Sequence, residues 1–108
     1  MVKKNACVFI SGQGTNLKFL INSSRNTNFP INISLVVCNN PNAFGIFFAK
    51  KNSIPLLLLD TKKRNFENTI LKELKKRNIS LICLAGYMKI ISKKFINNFR
   101  NKIINIHP

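Results

Sequence analysis

Five short apolar runs punctuate the chain, and none of them alternates with polar residues. They are "ACVFI" (Ala6–Ile10), "ISLVVC" (Ile33–Cys38), "PLLLL" (Pro55–Leu59), "LICLA" (Leu81–Ala85) and "KIINI" (Lys102–Ile106). A strand that is apolar on both faces must be covered on both faces, which is the condition of a parallel sheet flanked by helices. The intervening segments carry helical patterns. Thr15 and Asn16 can cap a helix over Leu17, Leu20 and Ile21, and Asn42 can cap a second from Ala43 to about Lys51. A third runs from Asn65 to Arg77, with Phe66, Ile70, Leu71 and Leu74 on one face, and Ser92 caps a fourth through Phe95, Ile96 and Phe99. The Asn-rich stretch Asn22–Asn28 reads as a loop. The order β-α-β-α-β-α-β-α-β, with right-handed crossovers, predicts an α/β fold: an open, doubly wound parallel sheet of strand order 3-2-1-4-5, its switch point between strands 1 and 4. No internal repeat or Gly/Ser linker interrupts it, so residues 1–108 are expected to form one domain.

Composition narrows the function classes. With 45% hydrophobic residues the chain can build a core, and its formal charge of +15 suits anionic partners. Fourteen of the basic residues are Lys against four Arg, and Asn, Ile and Phe are abundant, which is the signature of an A/T-rich genome. The bases are also scattered and do not interleave with aromatic side chains, so nucleic acid is not the expected partner. A phosphate-bearing ligand still gains from the field. Cys7, Cys38 and Cys83 each sit inside an apolar run without CxxC spacing, which argues for reduced, buried thiols and against a disulfide framework or metal site. No apolar run reaches the ~20 residues of a membrane span, and no signal-peptide cleavage pattern appears. A cytoplasmic location is expected.

In sheets of this kind ligands bind beyond the carboxyl ends of the strands at the switch point. Three segments would meet there. "SGQGTN" (Ser11–Asn16) is a strand–loop–helix junction whose glycines allow close backbone approach and whose helix-start N–H groups suit a single phosphate. It lacks the third glycine and the acidic residue of a dinucleotide site. A structural β-α turn explains the loop equally well. "AGYMK" (Ala85–Lys89) is either a turn packed under the next helix or a wall for a flat heteroaromatic ligand. "NIHP" sets Asn105 and His107, the sole histidine, on the same side of strand 5, where an amide beside an imidazole can stabilise an oxyanion; a merely structural histidine at a strand end is the alternative reading.

Taken together, "SGQGTNL" (Ser11–Leu17), "NAFG" (Asn42–Gly45), "LAGYMKIIS" (Leu84–Ser92) and "INIHP" (Ile104–Pro108) resemble the folate-dependent phosphoribosylglycinamide formyltransferases of purine synthesis, and the resemblance spans the whole chain. It implies a Rossmann-like formyltransferase fold and transfer of a formyl group from 10-formyltetrahydrofolate, as co-substrate, to the amine of glycinamide ribonucleotide, without a metal. By that resemblance Gly14, Thr15 and Asn16 bind the substrate phosphate, and Met88, Lys89, Ile90 and Ile91 line the folate site mostly through backbone. Asn105 contacts the formyl group and His107 is the general acid. The basic residue that the family places before the third helix falls on Lys63, with Arg64 beside it. The N-x-H-P motif is shared with methionyl-tRNA formyltransferase and formyltetrahydrofolate hydrolase; the Gly-loop version selects the glycinamide ribonucleotide enzyme.

The resemblance also implies a further S-L-L-P segment, an aspartate that orients the histidine, a loop over the folate and more strands. The expectation is therefore a truncated form, ending after strand 5 and active only with a complementing C-terminal chain, or else an inactive phosphate-binding remnant. Strand 5 is then expected to be an exposed apolar edge.

Overall fold

The computed structural model describes residues 2–106, so the expected catalytic His107 lies outside the described residues. Five strands, β1 (Lys4–Ile10), β2 (Ile31–Cys38), β3 (Leu56–Leu58), β4 (Leu81–Leu84) and β5 (Lys102–Asn105), alternate with four helices, α1 (Thr15–Ser24), α2 (Gly45–Lys51), α3 (Phe66–Lys76) and α4 (Lys93–Asn98). All pairings are parallel and the strand order is β3-β2-β1-β4-β5, as expected.

The unbroken apolar runs are explained by two cores. Ala6, Val8 and Ile10 face one side with Leu17, Leu20 and Ile21 of α1 and Ala49 of α2. Cys7 and Phe9 face the other with Ile70 and Leu74 of α3 and Phe95 of α4. Every residue from Ala6 to Ile10 is therefore buried. Strand β2 changes phase midway. Ile31 and Ile33 join the α1/α2 core, but Leu35 joins the α3/α4 core. The register moves from Ala6↔Ile33 to Cys7↔Leu35, leaving Ser34 as the extra residue of a β-bulge. The three thiols fill the same cores as small apolar groups, and all are free and buried.

Several boundaries differ from expectation. Neither Thr15 nor Asn16 caps α1; Gly14 does, at φ 78 in the left-handed region, with no side-chain hydrogen bond, and Thr15 opens the helix. That conformation comes with a tight crossing. A Cβ on Gly14 would lie 2.6 Å from the Gly45 Cα, and one on Gly45 would lie 2.5 Å from Ile10 Cδ1. The Gly45 N–H donates to the Gly12 carbonyl at 3.1 Å. Helix α2 accordingly starts at Gly45, not Ala43, and Asn42 does not cap it. Asn40 organises the approach instead, its side-chain oxygen accepting from the Asn42 N–H at 3.0 Å. Helix α1 also runs into the Asn-rich stretch, as far as Ser24. Ser92 does cap α4, accepting from the Phe95 N–H at 3.1 Å.

Candidate active site at the carboxyl ends of β1, β4 and β5

The doubly wound order brings the segments after β1, β4 and β5 to one end of the sheet. The ladder continues past β4, where the Ala85 N–H donates to the Phe9 carbonyl and the Ile106 N–H to the Leu84 carbonyl, each at 2.9 Å. A single hydroxyl then ties the loops together. Ser11, the buried polar residue among those described, donates through Oγ to Asn39 Oδ1 at 2.6 Å and accepts from the Met88 N–H at 2.8 Å. Its carbonyl accepts from Asn40 Nδ2 at 3.2 Å. The Gly loop, the Asn39–Asn40 turn after β2 and the segment after β4 thus share one hydrogen-bonded node.

In the Gly loop, the first intrahelical bond runs from the Lys18 N–H to the Gly14 carbonyl at 2.8 Å. The N–H groups of Thr15, Asn16 and Leu17 are therefore not used by the helix ladder. They stand beside an exposed Thr15 hydroxyl and a half-buried Asn16 amide, donors of the kind a phosphate takes.

After β4, Gly86 turns the chain at φ 77. Tyr87 packs inward, edge-on to Phe9 with ring centroids 5.2 Å apart. Burial, and then the charge of Glu67, push its phenol up to about 12, so it stays protonated near neutrality. Met88 and Ile90 point outward, 83% and 88% exposed. Within the segment, then, Tyr87 packs inward while Met88 and Ile90 stay exposed to solvent. Lys89 lies with Nζ 5.9 Å from the Phe66 ring centre. At the far end Glu67 accepts from the Ser92 N–H at 3.1 Å and from the Ser92 hydroxyl at 2.5 Å.

Lys63 and Arg64 both line a cavity of about 400 Å³ between the end of β3 and the start of α3, together with Phe66. Phe66 borders this cavity and also lies under Lys89. Asn105 is exposed at the end of β5, paired with Leu84 in the register. The three side-chain carboxylates have partners elsewhere: Asp60 accepts from the Lys62 N–H, Glu73 pairs with Arg77, and Glu67 holds Ser92. Sequence reasoning missed Ser11, Asn39 and Glu67. The signal for Ser11 was a hydroxyl closing an apolar run; Glu67 carried only that of an acidic residue in a helix's first turn.

A family model described as formyl transferase matches residues 4–108. The chain is 39% identical to the phosphoribosylglycinamide formyltransferase of Haemophilus influenzae, an alignment covering 97% of this chain and 51% of that protein. It is 38% identical to the trifunctional purine biosynthetic protein adenosine-3 of Gallus gallus over 98% of this chain and 11% of that one. Its fold superposes on glycinamide ribonucleotide transformylase 1 of Geobacillus kaustophilus with a TM-score of 0.90 and 36% identity, covering 99% of this chain and 59% of the other. The chain spans about half the length of the single-function relatives it matches.

Proposed function

The chain belongs to the formyl transferase family, and from that premise we propose that it provides the phosphate- and folate-binding part of a phosphoribosylglycinamide formyltransferase. The reaction is formyl transfer from 10-formyltetrahydrofolate to glycinamide ribonucleotide in purine biosynthesis, in the cytoplasm, where the three buried thiols stay reduced. The observation that carries the reading is the Ser11 node, which joins a phosphate-type loop to an exposed apolar wall.

In this reading the free N–H groups at the start of α1, with Gly14, Thr15 and Asn16, hold the ribonucleotide phosphate. The folate supplies the formyl group. Its fit rests on Met88 and Ile90, whose exposed side chains frame the Met88–Ile91 backbone, and Lys89 and Lys63 are cations for its acidic tail. The Asn105 amide donates to the formyl oxygen as charge grows there, an interaction stronger in the transition state than in the ground state. His107 delivers the proton to the leaving nitrogen.

The test is a formyl-transfer assay with glycinamide ribonucleotide and 10-formyltetrahydrofolate. The chain is used alone and mixed with a polypeptide carrying the C-terminal half of a relative. Formylated product in either arm supports the reading. A folded, stoichiometric complex that forms no product refutes it.

A further inference from the structure

The Met88–Ile91 segment sits between β4 and α4 with no regular structure of its own. Met88 and Ile90 are almost fully exposed, so they contribute little burial to hold the backbone in place. The backbone groups of Lys89, Ile90 and Ile91 make no hydrogen bond with another described residue. Ile91 packs against the α3/α4 core, but Met88 to Ile90 are held by little of their own, and side chains from elsewhere in the chain tie both ends of the segment.

We propose that Ser11 and Glu67 are positioning residues that clamp the two ends of the Met88–Ile91 wall, and that Ser11 also couples the wall to the phosphate loop. At the leading end the Met88 N–H donates to Ser11 Oγ at 2.8 Å. At the trailing end the Glu67 carboxylate takes both the Ser92 N–H and the Ser92 hydroxyl, at 3.1 and 2.5 Å. The second pair is charge-assisted and two-pronged, the stronger type of hydrogen bond. Between the clamps the backbone donors and acceptors are left free for the edge of a flat heteroaromatic ring. Ser11 has no spare donor, because its one hydroxyl hydrogen goes to Asn39. Losing its hydroxyl strands the Met88 N–H and Asn39 Oδ1 together, and disturbs both the loop and the wall.

The ligand assignment rests on the formyltransferase reading; the clamp itself does not. The test therefore measures three things on the chain and its variants: affinity for tetrahydrofolate, affinity for glycinamide ribonucleotide, and amide hydrogen exchange at Met88 and Ser92. Glu67→Ala is expected to weaken tetrahydrofolate about tenfold, the worth of a charged hydrogen bond, to leave the ribonucleotide unchanged, and to speed exchange at Ser92. Glu67→Gln, which keeps an acceptor oxygen, is expected to recover most of the loss. Ser11→Ala is expected to weaken both ligands and speed exchange at Met88, with Ser11→Thr restoring both. If the alanine variants do not fold, Glu67→Asp keeps the charge in α3, shortens its reach, and should still lose tetrahydrofolate selectively. Folded variants with wild-type tetrahydrofolate affinity overturn the proposal, as does unchanged exchange at Met88 and Ser92. If the wild-type chain binds no tetrahydrofolate even when mixed with the complementing C-terminal half, the formyltransferase reading is refuted instead, and exchange then still decides whether the clamp exists.

Discussion

Replacing Gly14 with alanine should be among the most damaging single-methyl additions in this chain, and its cost separates into two parts. The first is conformational. At φ 78 an L-residue pays about 1 kcal/mol or slightly more. The second is steric. The new Cβ would sit 2.6 Å from the Gly45 Cα, a backbone atom that no side-chain rotation can move, in a crossing already fixed by the Gly45–Gly12 hydrogen bond. Forcing such a contact costs about 1–3 kcal/mol in displaced backbone. The sum is about 2–4 kcal/mol, a large share of the ~5–15 kcal/mol that holds a typical domain together. Two other glycines provide controls within the same molecule. Gly86 shares the positive φ, at 77, but an added methyl there would meet nothing within 4 Å, so Gly86→Ala should show the conformational part alone, about 1 kcal/mol. Gly12 has open space and no positive φ, so Gly12→Ala should be near neutral. Urea denaturation of the three variants at one pH gives the comparison. For a urea slope of about 1–1.5 kcal/mol/M, Gly14→Ala should lower the midpoint by about 2 M and Gly86→Ala by less than half of that. Equal losses for Gly14→Ala and Gly86→Ala would refute the steric argument and, with it, the close packing of the Gly loop on α2.

Ile90→Asp should weaken tetrahydrofolate about tenfold while moving stability by no more than about 0.5 kcal/mol, because the side chain is 88% exposed; a matching loss of stability would contradict its placement. Asn105→Ala should lower kcat by about 10²–10³ in a complemented, active preparation without lowering Tm, and a rise in KM alone would remove it from transition-state stabilisation. Burial pushes the Cys83 thiol from its ordinary 9.0 to about 11, and the Cys7 thiol well up also. The native state then keeps protons that the unfolded chain has lost. Stability should be full below about pH 9 and fall as pH rises toward 11, by up to about 1.4 kcal/mol per unit per thiol. Urea midpoints across that range should fall less steeply for Cys83→Ala than for the parent; parallel slopes would show that Cys83 does not titrate with folding.

Strand number, helix number and sheet order were legible in the sequence, because burial on both faces writes itself as unbroken apolar runs and chain connectivity leaves few topologies for such runs. The Gly loop, the segment after β4 and Asn105 could be picked out for the same reason: in a doubly wound sheet they must follow strands 1, 4 and 5. The bulge at Ser34, by contrast, needed the neighbouring strand, since "INISLVVC" looks like one continuous run until Leu35 is found facing α3. The cap of α1 also went to Gly14 and not to Thr15 or Asn16, because the deciding contact is with Gly45, thirty-one residues away. Ser11 and Glu67 are further examples. Each has an ordinary local reading, a hydroxyl ending a strand and an acid opening a helix. Only folding brings Ser11 to Met88 and Glu67 to Ser92, across 77 and 25 residues of sequence. Local pattern, then, determined the layers and where a ligand could meet them; the hydrogen bonds that shape the wall were decided by tertiary contact, since a polar side chain's partner is whatever the fold places within about 3 Å of it.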